Sequence, residues 1–492
     1  MEETSARQRI LDRAWLPRSC VWEITLACNL RCGHCGSRAG KARADELSTQ
    51  EAVDVAGQLA DLGCQLVSLS GGEPTVRDDW DVIARALVDR GVLCNMVSNG
   101  FYDDPELMAR RAKDCGMVNV GISVDGTKEV HEQIRGRNTF AKTTRAIEVY
   151  AKHGMRPAMM TTICKSNLGQ LEEIRQLAIE LGASMWRLQL SKPMGTMSEH
   201  RDDVLEPAQY VRMVETLAAL KKKGGIDLRV GDSIGYYGAP EAILRNRRRN
   251  GKQEMWRGCQ AGLHAIGIEA NGNVKGCLSL QAKWGESDPF VEGNLHEQSL
   301  EQIWFKPGGF AYNRELCLEE LTGACANCKN ASVCKGGARC VSSAMLGTLT
   351  EDPLCYYAIQ SQRRGPRWAE SAAAIAAAAL LTASASGCIS ATDYGVSDYG
   401  IEPADQVDQL DISDQQDQEV DFSQTEYGVD LGPDQSDYGL DVRPDYQLEY
   451  GIDIPPDGQT DYGVDVSPDG QTDYGVDVSD EELQTDYGVP QP

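Results

Sequence analysis

Between Val21 and Leu190 the sequence alternates six short apolar runs with amphipathic stretches, and nothing else in the chain constrains its fold as strongly. The apolar runs are Val21–Leu26, Gln65–Leu69, Leu93–Val97, Asn119–Val124, Ala158–Ile163 and Met185–Leu190. Each has the length of a strand, and helical spacing of apolar residues fills the intervals. Glu51–Leu62 follows a Ser48/Thr49 N-cap, and Thr143–His153 stops at Gly154. Strand then helix, six times at βαβ spacing, means a parallel sheet covered by helices. Periodicity alone leaves both an open sheet and a barrel available. Residues 207–224 read as a further helix with Pro207 in its first turn. From Cys259 to Cys355 the chain is rich in Gly and Cys and poorly periodic, as expected where metal clusters replace a hydrophobic core.

With 492 residues the chain has room for two or three domains. Its formal net charge of −26 is unevenly placed. Residues 389–492 hold 28 Asp/Glu and one Arg, which leaves the body before them near neutrality. That balance argues against nucleic acid as a partner. No run of 18 strongly apolar residues occurs, and charges precede any apolar stretch in the first 30 residues. Neither a multi-span membrane protein nor an N-terminally secreted one is expected, and the body is expected to be cytoplasmic. Sixteen of the 17 cysteines lie between Cys20 and Cys355. In a body this large they read as metal or cluster ligands, not as a disulfide framework.

Cys28, Cys32 and Cys35, at C-x3-C-x2-C spacing just after the first strand, offer three thiolates that can hold three irons of a cubane and leave the fourth open. Zinc would want a fourth ligand nearby, and His34 lies between two of the cysteines. The motif resembles that of radical S-adenosylmethionine (SAM) enzymes. The resemblance implies a partial (β/α)6 TIM-like barrel and a 4Fe–4S cluster whose open iron chelates SAM. It also implies reductive cleavage of SAM to a 5′-deoxyadenosyl radical, fed by a donor such as ferredoxin or flavodoxin. Companion motifs follow in family order at strand ends, where barrel active sites form. Gly71, Gly72, Glu73 and Pro74 match the family motif that contacts the SAM amino group, the glycines permitting close backbone approach. Ser98 and Asn99 close the third strand. Ser123 and Asp125 close the fourth, where the family places contacts to the SAM ribose and methionine; Arg135 follows in a segment typical of the peptide-modifying branch.

The later cysteines resemble a SPASM domain, which carries two auxiliary 4Fe–4S clusters. By that pattern Cys325, Cys328, Cys334 and Cys355 hold one cluster. Cys259, Cys277 and Cys340 contribute to the other, with Cys317 the candidate fourth ligand. One departure stands out: five residues separate Cys334 from Cys340 where the family usually has three. A zinc-ribbon reading of Cys325, Cys328, Cys334 and Cys340 is the structural alternative. Cys20, Cys64, Cys94, Cys115 and Cys164, in strand or helix patterns, read as small buried apolar residues.

The chain is therefore expected to run as an N-terminal extension (1–19), a radical SAM barrel (20–240), a SPASM domain (255–357), an Ala-rich segment (363–388) and an acidic tail (389–492). The Ala-rich segment reads either as a helical linker or, with its preceding basic residues and Cys388, as a lipoprotein-like signal and lipidation site in mid-chain. In the tail, Pro456–Ser467 is repeated unchanged at Pro468–Ser479. Eight of its nine tyrosines sit in the frame acid–Tyr–Gly–aliphatic: Tyr394, Tyr399, Tyr427, Tyr438, Tyr450, Tyr462, Tyr474 and Tyr487. So little apolar surface and so much like charge predict disorder. A flexible chain of that length spans roughly 60 Å between Cys355 and Tyr474, enough to return each tyrosine to the barrel mouth. The frame resembles the XYG sites of precursor peptides cut by radical SAM spliceases, and the ending Tyr487-Gly488-Val489-Pro490 resembles lipoprotein-like precursors encoded beside radical SAM/SPASM proteins. The resemblance implies a peptide substrate, the chain's own tail foremost, with a sulfatase-maturase-like enzyme on a separate peptide as the alternative. A calcium-binding or adhesive tail is the non-enzymatic alternative, although Val476 stands where an EF-hand needs Glu.

Overall fold

The structure, a computed structural model, describes residues 7–363 except 12, 246–247, 250–251, 254 and 283–284. The Ala-rich segment, Cys388 and the tail tyrosines lie outside the described residues. Seven parallel strands form in chain order: β1 (Ser19–Thr25), β2 (Leu66–Gly71), β3 (Leu93–Ser98), β4 (Asn119–Ser123), β5 (Ala158–Ile163), β6 (Met185–Leu190) and β7 (Asp227–Val230). The first six match the sequence expectation to within two residues at each end. Helices α1 (Thr49–Asp61), α2 (Trp80–Val88), α3 (Pro105–Asp114), α4 (Lys128–Arg135), α5 (Phe140–Lys152), α6 (Leu171–Glu180) and α7 (Pro207–Lys223) form the crossovers.

Local chemistry explains the helix ends. Ser48 and Glu51 make a reciprocal capping box at the start of α1, and its Ala52, Val55, Ala56 and Leu59 are buried at helical spacing. Pro207 occupies the first turn of α7, and Gly224 ends it at φ 72°. On the helix-facing side of the sheet, Trp22, Leu69, Met96 and Val120 share one register row and are 1% exposed or less. Burying side chains of that kind stabilises by about 1.5–3 kcal/mol each.

The Cys-rich region corrects the sequence expectation. After a small ladder of β8 (Arg248–Arg249) and β9 (Lys252–Gln253), it supplies β10 (Ala265–Ile268), β11 (Asn273–Lys275) and β12 (Gly293–Asn294). β10 pairs parallel with β1, from Ser19 opposite Ala265 to Trp22 opposite Ile268, and β11 and β12 follow antiparallel. The result is a ten-stranded sheet in the order β12-β11-β10-β1-β2-β3-β4-β5-β6-β7. Ile266, Ile268 and Val274 join the main core, so this region does not rely on clusters alone. Strands of two to four residues have too few alternations to register as a pattern; they exist because β1 offers them an edge. Across the seam lie Glu23, Arg43 and Glu269, with the buried Lys275 ammonium 2.5 Å from Glu269. Cys20, Cys64, Cys94, Cys115 and Cys164 are all buried, as expected. Among the described residues no helix is long and apolar enough to cross a membrane.

Candidate functional site

Beyond Thr25 the chain leaves the sheet and enters the loop that carries Cys28, Cys32 and Cys35. Backbone hydrogen bonds fix this loop to the exits of two other strands and to α4. Gly72 N–H donates to Thr25 O (2.8 Å) and Glu73 N–H to Ala27 O (2.8 Å), tying it to the exit of β2. Gly33 N–H donates to Ile134 O of α4 (2.9 Å), and Thr196 N–H, in the turn after β6, to Cys35 O (2.8 Å). The glycines of the Gly71–Pro74 motif serve this crossing. A Cβ at Gly72 would lie 2.1 Å from Ala27 O, and one at Gly71, whose φ is +151°, 2.2 Å from Thr25 O. Their near neighbour among the described residues is the cysteine loop itself. Gly195 plays the same part after β6, where a Cβ would meet Gly36 O at 2.3 Å.

The three thiols are half-buried. Leu30 N–H points at the Cys28 sulfur (3.4 Å), Asn99 Nδ2 reaches it at 3.9 Å, and Ala39 N–H points at the Cys35 sulfur (3.4 Å). Burial raises the Cys28 thiol, and it pushes Cys32 up to about 11 while Arg135 pulls the other way. Cys32 is therefore a protonated thiol at neutral pH, and metal binding would displace its proton. Three convergent thiols with amide donors aimed at two of them fit an iron–sulfur cluster with one iron left open.

Two fully buried carboxylates brace this loop. Glu73 accepts from Asn99 N–H (2.7 Å), Ser98 Oγ (2.9 Å) and Thr75 Oγ1 (2.7 Å), clamping the ends of β2 and β3 together. Burial raises its pKa despite those bonds. Asp125 pairs with Arg135, sits 2.7 Å from His34 Nε2 and accepts from Thr162 N–H (2.8 Å). Burial alone would raise its pKa, but Arg135 and His34 outweigh burial and hold the carboxyl below its usual range. His34 thus faces Asp125. His131, pushed down to about 4 mainly by burial, is neutral and meets Asp125 N–H through Nδ1 (3.3 Å). Sequence reasoning missed His34 as a brace and Thr196 as a cover. Thr196 was legible only through its place, after the C-terminal end of β6.

Side chains alternate along a strand, so register decides which residues share the face turned away from the helices. One row on that face runs Val21, Ser68, Asn95, and a second runs Ser123, Met160, Arg187, Arg229. Ser68 Oγ and Asn95 Oδ1 are buried with no hydrogen-bond partner among the described residues. Buried polar atoms of that kind ask for water or a ligand.

A second cysteine group closes around a different space. Cys325, Cys328, Cys334 and Cys355 line a single cavity together with Tyr237 and Asp352. Burial pushes Cys355 up to about 12 and raises Cys325 and Cys334, with neighbouring thiols adding to the rise. Four thiols around one cavity fit a cluster held by thiolates alone. Cys259, Cys277 and Cys340 each pack against the cluster of Ala261, Leu280 and Phe290. Cys317 is not among them: its thiol is exposed and donates to Glu315 O (3.7 Å). Among the described residues no three His, Cys, Asp or Glu side chains are grouped for a single metal ion.

Comparison with known proteins agrees with this architecture. The family model of the radical SAM superfamily matches residues 22–178, and that of the SPASM iron–sulfur cluster-binding domain matches residues 259–329. The chain is 31% identical over 350 residues to an AdoMet-dependent heme synthase of Methanosarcina barkeri, covering 69% of this chain and 97% of the relative. It is 32% identical over 366 residues to the mycofactocin maturase MftC of Mycobacterium ulcerans, covering 71% and 92%. The crystal structure of Streptococcus suis SuiB bound to precursor peptide SuiA shares its fold, with a TM-score of 0.56 at 15% identity over 72% of this chain and 78% of that one. The chain belongs to the radical SAM superfamily and carries a SPASM domain, and is thus an enzyme that uses a 4Fe–4S cluster with SAM and auxiliary iron–sulfur clusters.

Proposed function

We propose that the protein is a radical SAM peptide-modifying enzyme whose substrate is the Tyr-Gly repeats of its own residues 389–492. The observation that carries this reading is the fusion: eight acid–Tyr–Gly–aliphatic sites follow a radical SAM/SPASM body in one chain. The similarity to a maturase and the shared fold with a peptide-bound enzyme support it. Cys28, Cys32 and Cys35 would hold the SAM cluster. Cys325, Cys328, Cys334 and Cys355 would hold one auxiliary cluster, and Cys259, Cys277 and Cys340 would serve the other. When bound and reduced, SAM supplies a 5′-deoxyadenosyl radical for hydrogen abstraction from the peptide.

This chain's own residues would do the rest. Glu73 and Asp125 hold the cysteine loop against the strand ends, Ser123 presents a hydroxyl at the mouth, and Arg135 keeps positive charge beside Cys32. Gly after Tyr leaves the backbone sterically open at the site of attack. A reductant such as ferredoxin or flavodoxin would feed the body in the cytoplasm. A separate substrate is the second reading, favoured by the similarity to a heme synthase across 97% of that relative.

Tandem mass spectrometry separates the two. The full chain would be reconstituted anaerobically with iron, sulfide, SAM and reductant, beside Cys32→Ala. A Cys32-dependent mass change at the Tyr-Gly sites establishes self-modification. An unmodified tail with brisk 5′-deoxyadenosine formation moves the substrate elsewhere.

A further inference from the structure

The stretch between Cys334 and Cys340, longer than the family spacing, turns through three consecutive residues at positive φ: Lys335 (55°), Gly336 (87°) and Gly337 (86°). Glycine makes such a run affordable at two of the three positions. The glycines also keep space open. A Cβ at Gly336 would stand 3.0 Å from Arg339 Nη1, and one at Gly337 2.5 Å from the Asp352 Cβ. The turn thereby delivers Arg339, the first residue of the helix Arg339–Leu346, into the interior.

Arg339 is 1% exposed. Its Nε donates to Asn313 Oδ1 (3.0 Å), and its Nη1 donates to Leu349 O. Asn313 Nδ2 in turn donates to Cys259 O (3.3 Å) and Ala261 O (2.7 Å), which ties the guanidinium to the Cys259 segment. These partners are all neutral. Among the described residues no carboxylate lies within ion-pair distance of Arg339. Lys275, equally buried, has Glu269 at 2.5 Å and Asp288 beside it. Asp352 feels Arg339 only from beyond ion-pair distance, and its carboxyl already accepts from Tyr236 Oη, Ala338 N–H and Leu354 N–H. Burial pushes the Arg339 pKa down, while the Cys259, Cys334 and Cys325 thiols pull it back up. The first of those thiols belongs to one auxiliary group and the other two to the second. A buried cation with no anion is costly, and thiolates holding iron would supply the anion on both sides.

We propose that Arg339 is a counter-charge shared by the two auxiliary clusters, lowering the cost of placing an electron on either. One-electron reduction adds one negative charge to a thiolate-held cluster. The electron comes from a donor of the ferredoxin or flavodoxin class, which is oxidised by one; no bond or proton changes at Arg339. A fixed positive charge in a buried setting raises the potential of each cluster it faces. The inference rests on the assignment of the two cysteine groups to clusters and is independent of which substrate the enzyme takes.

EPR-monitored redox titration of the anaerobically reconstituted full chain tests it. Arg339→Gln is expected to lower the potentials of both auxiliary signals by at least about 59 mV, an about tenfold loss in a one-electron reduction equilibrium. The SAM-cluster signal, the one that Cys32→Ala removes, should keep its potential. Arg339→Lys retains the charge without the planar fork and should stay near the parent values. Arg339→Met, which leaves no unpaired donor, should match Arg339→Gln. Loss of auxiliary iron from both neutral variants, with full iron in Arg339→Lys, would support the counter-charge through loading instead of potential. Unchanged auxiliary potentials in an iron-loaded neutral variant, or a shift confined to one auxiliary cluster, overturns the proposal. So does an equal shift, or equal iron loss, in Arg339→Lys, which would assign Arg339 a hydrogen-bonding role alone. A parent chain holding only about four irons overturns the auxiliary assignment itself, and the proposal with it.

Discussion

Cys28, Cys32 and Cys35 hang from the end of a strand in a ten-stranded sheet, whereas Cys325, Cys328, Cys334 and Cys355 surround a cavity made from helices of a single turn and loops. The first set has three thiols, half-buried, with burial raising Cys32 and Arg135 pulling the other way. The second has four thiols, three of them buried, with the Asp352 carboxyl on the cavity wall. An open iron needs a precise mount and access, and the strand ends supply both. A closed cluster needs only enclosure, and short irregular elements are sufficient for that. On the proposed assignment, the two regions differ as a site built to react differs from a site built to hold charge.

Substitutions can break or sharpen that contrast. The largest effect is expected from Cys32→Ala, which should reduce 5′-deoxyadenosine formation to background, read by chromatography, while the auxiliary-cluster EPR signals persist. Cys355→Ala should do the converse at the closed site: about four irons per chain are lost in metal analysis and the SAM-cluster signal remains. Cys317→Ala, by its exposure, should leave iron content unchanged. Gly72→Ala would force a Cβ to 2.1 Å from Ala27 O and should destabilise the protein by about 3 kcal/mol in chemical unfolding, with loss of the SAM-cluster signal before the auxiliary ones.

A last effect concerns pH. Burial raises Asp352 to about 6, from an ordinary value of about 3.9 when unfolded. Its folded state therefore favours the neutral acid. The stability this contributes is whole below about pH 4 and is lost as pH rises through about 6, worth about 3 kcal/mol in the cluster-free chain. Asp352→Asn should flatten that part of the curve. A slope unchanged by this variant would mean that the closed site does not enclose its acid as described.

Much of this was legible in the sequence because the chemistry is local. Six strands, the capping of α1 and the first cysteine group each announce themselves within a dozen residues, and the Cys325–Cys355 group within about thirty. What was hidden depends on partners far along the chain. Nothing near Glu73 indicates that Ser98 and Asn99 will satisfy it, and nothing near His34 indicates Asp125, 91 residues away. The Thr25 and Ala27 carbonyls that lie against Gly71 and Gly72 are likewise invisible in the sequence near that motif. Spacing also placed both Cys340 and Cys317 in the second auxiliary set; in the structure Cys340 packs on the same apolar cluster as Cys259 and Cys277, and the Cys317 thiol is exposed.

The pairing of β1 with β10 has a consequence for synthesis. About 240 residues separate the end of β1 from the start of β10. At 5–20 residues per second, a ribosome needs roughly 10–50 s to deliver the partner. During that interval the nascent chain carries Trp22 and Ile24 on a strand with one unsatisfied edge, the kind of surface that recruits other chains. On the proposed assignment, iron–sulfur loading of Cys28, Cys32 and Cys35 would compete with aggregation until the downstream cysteine region arrives to close the sheet. Overproduction would be limited by that wait, and slower translation through residues 190–265 should enlarge the insoluble fraction.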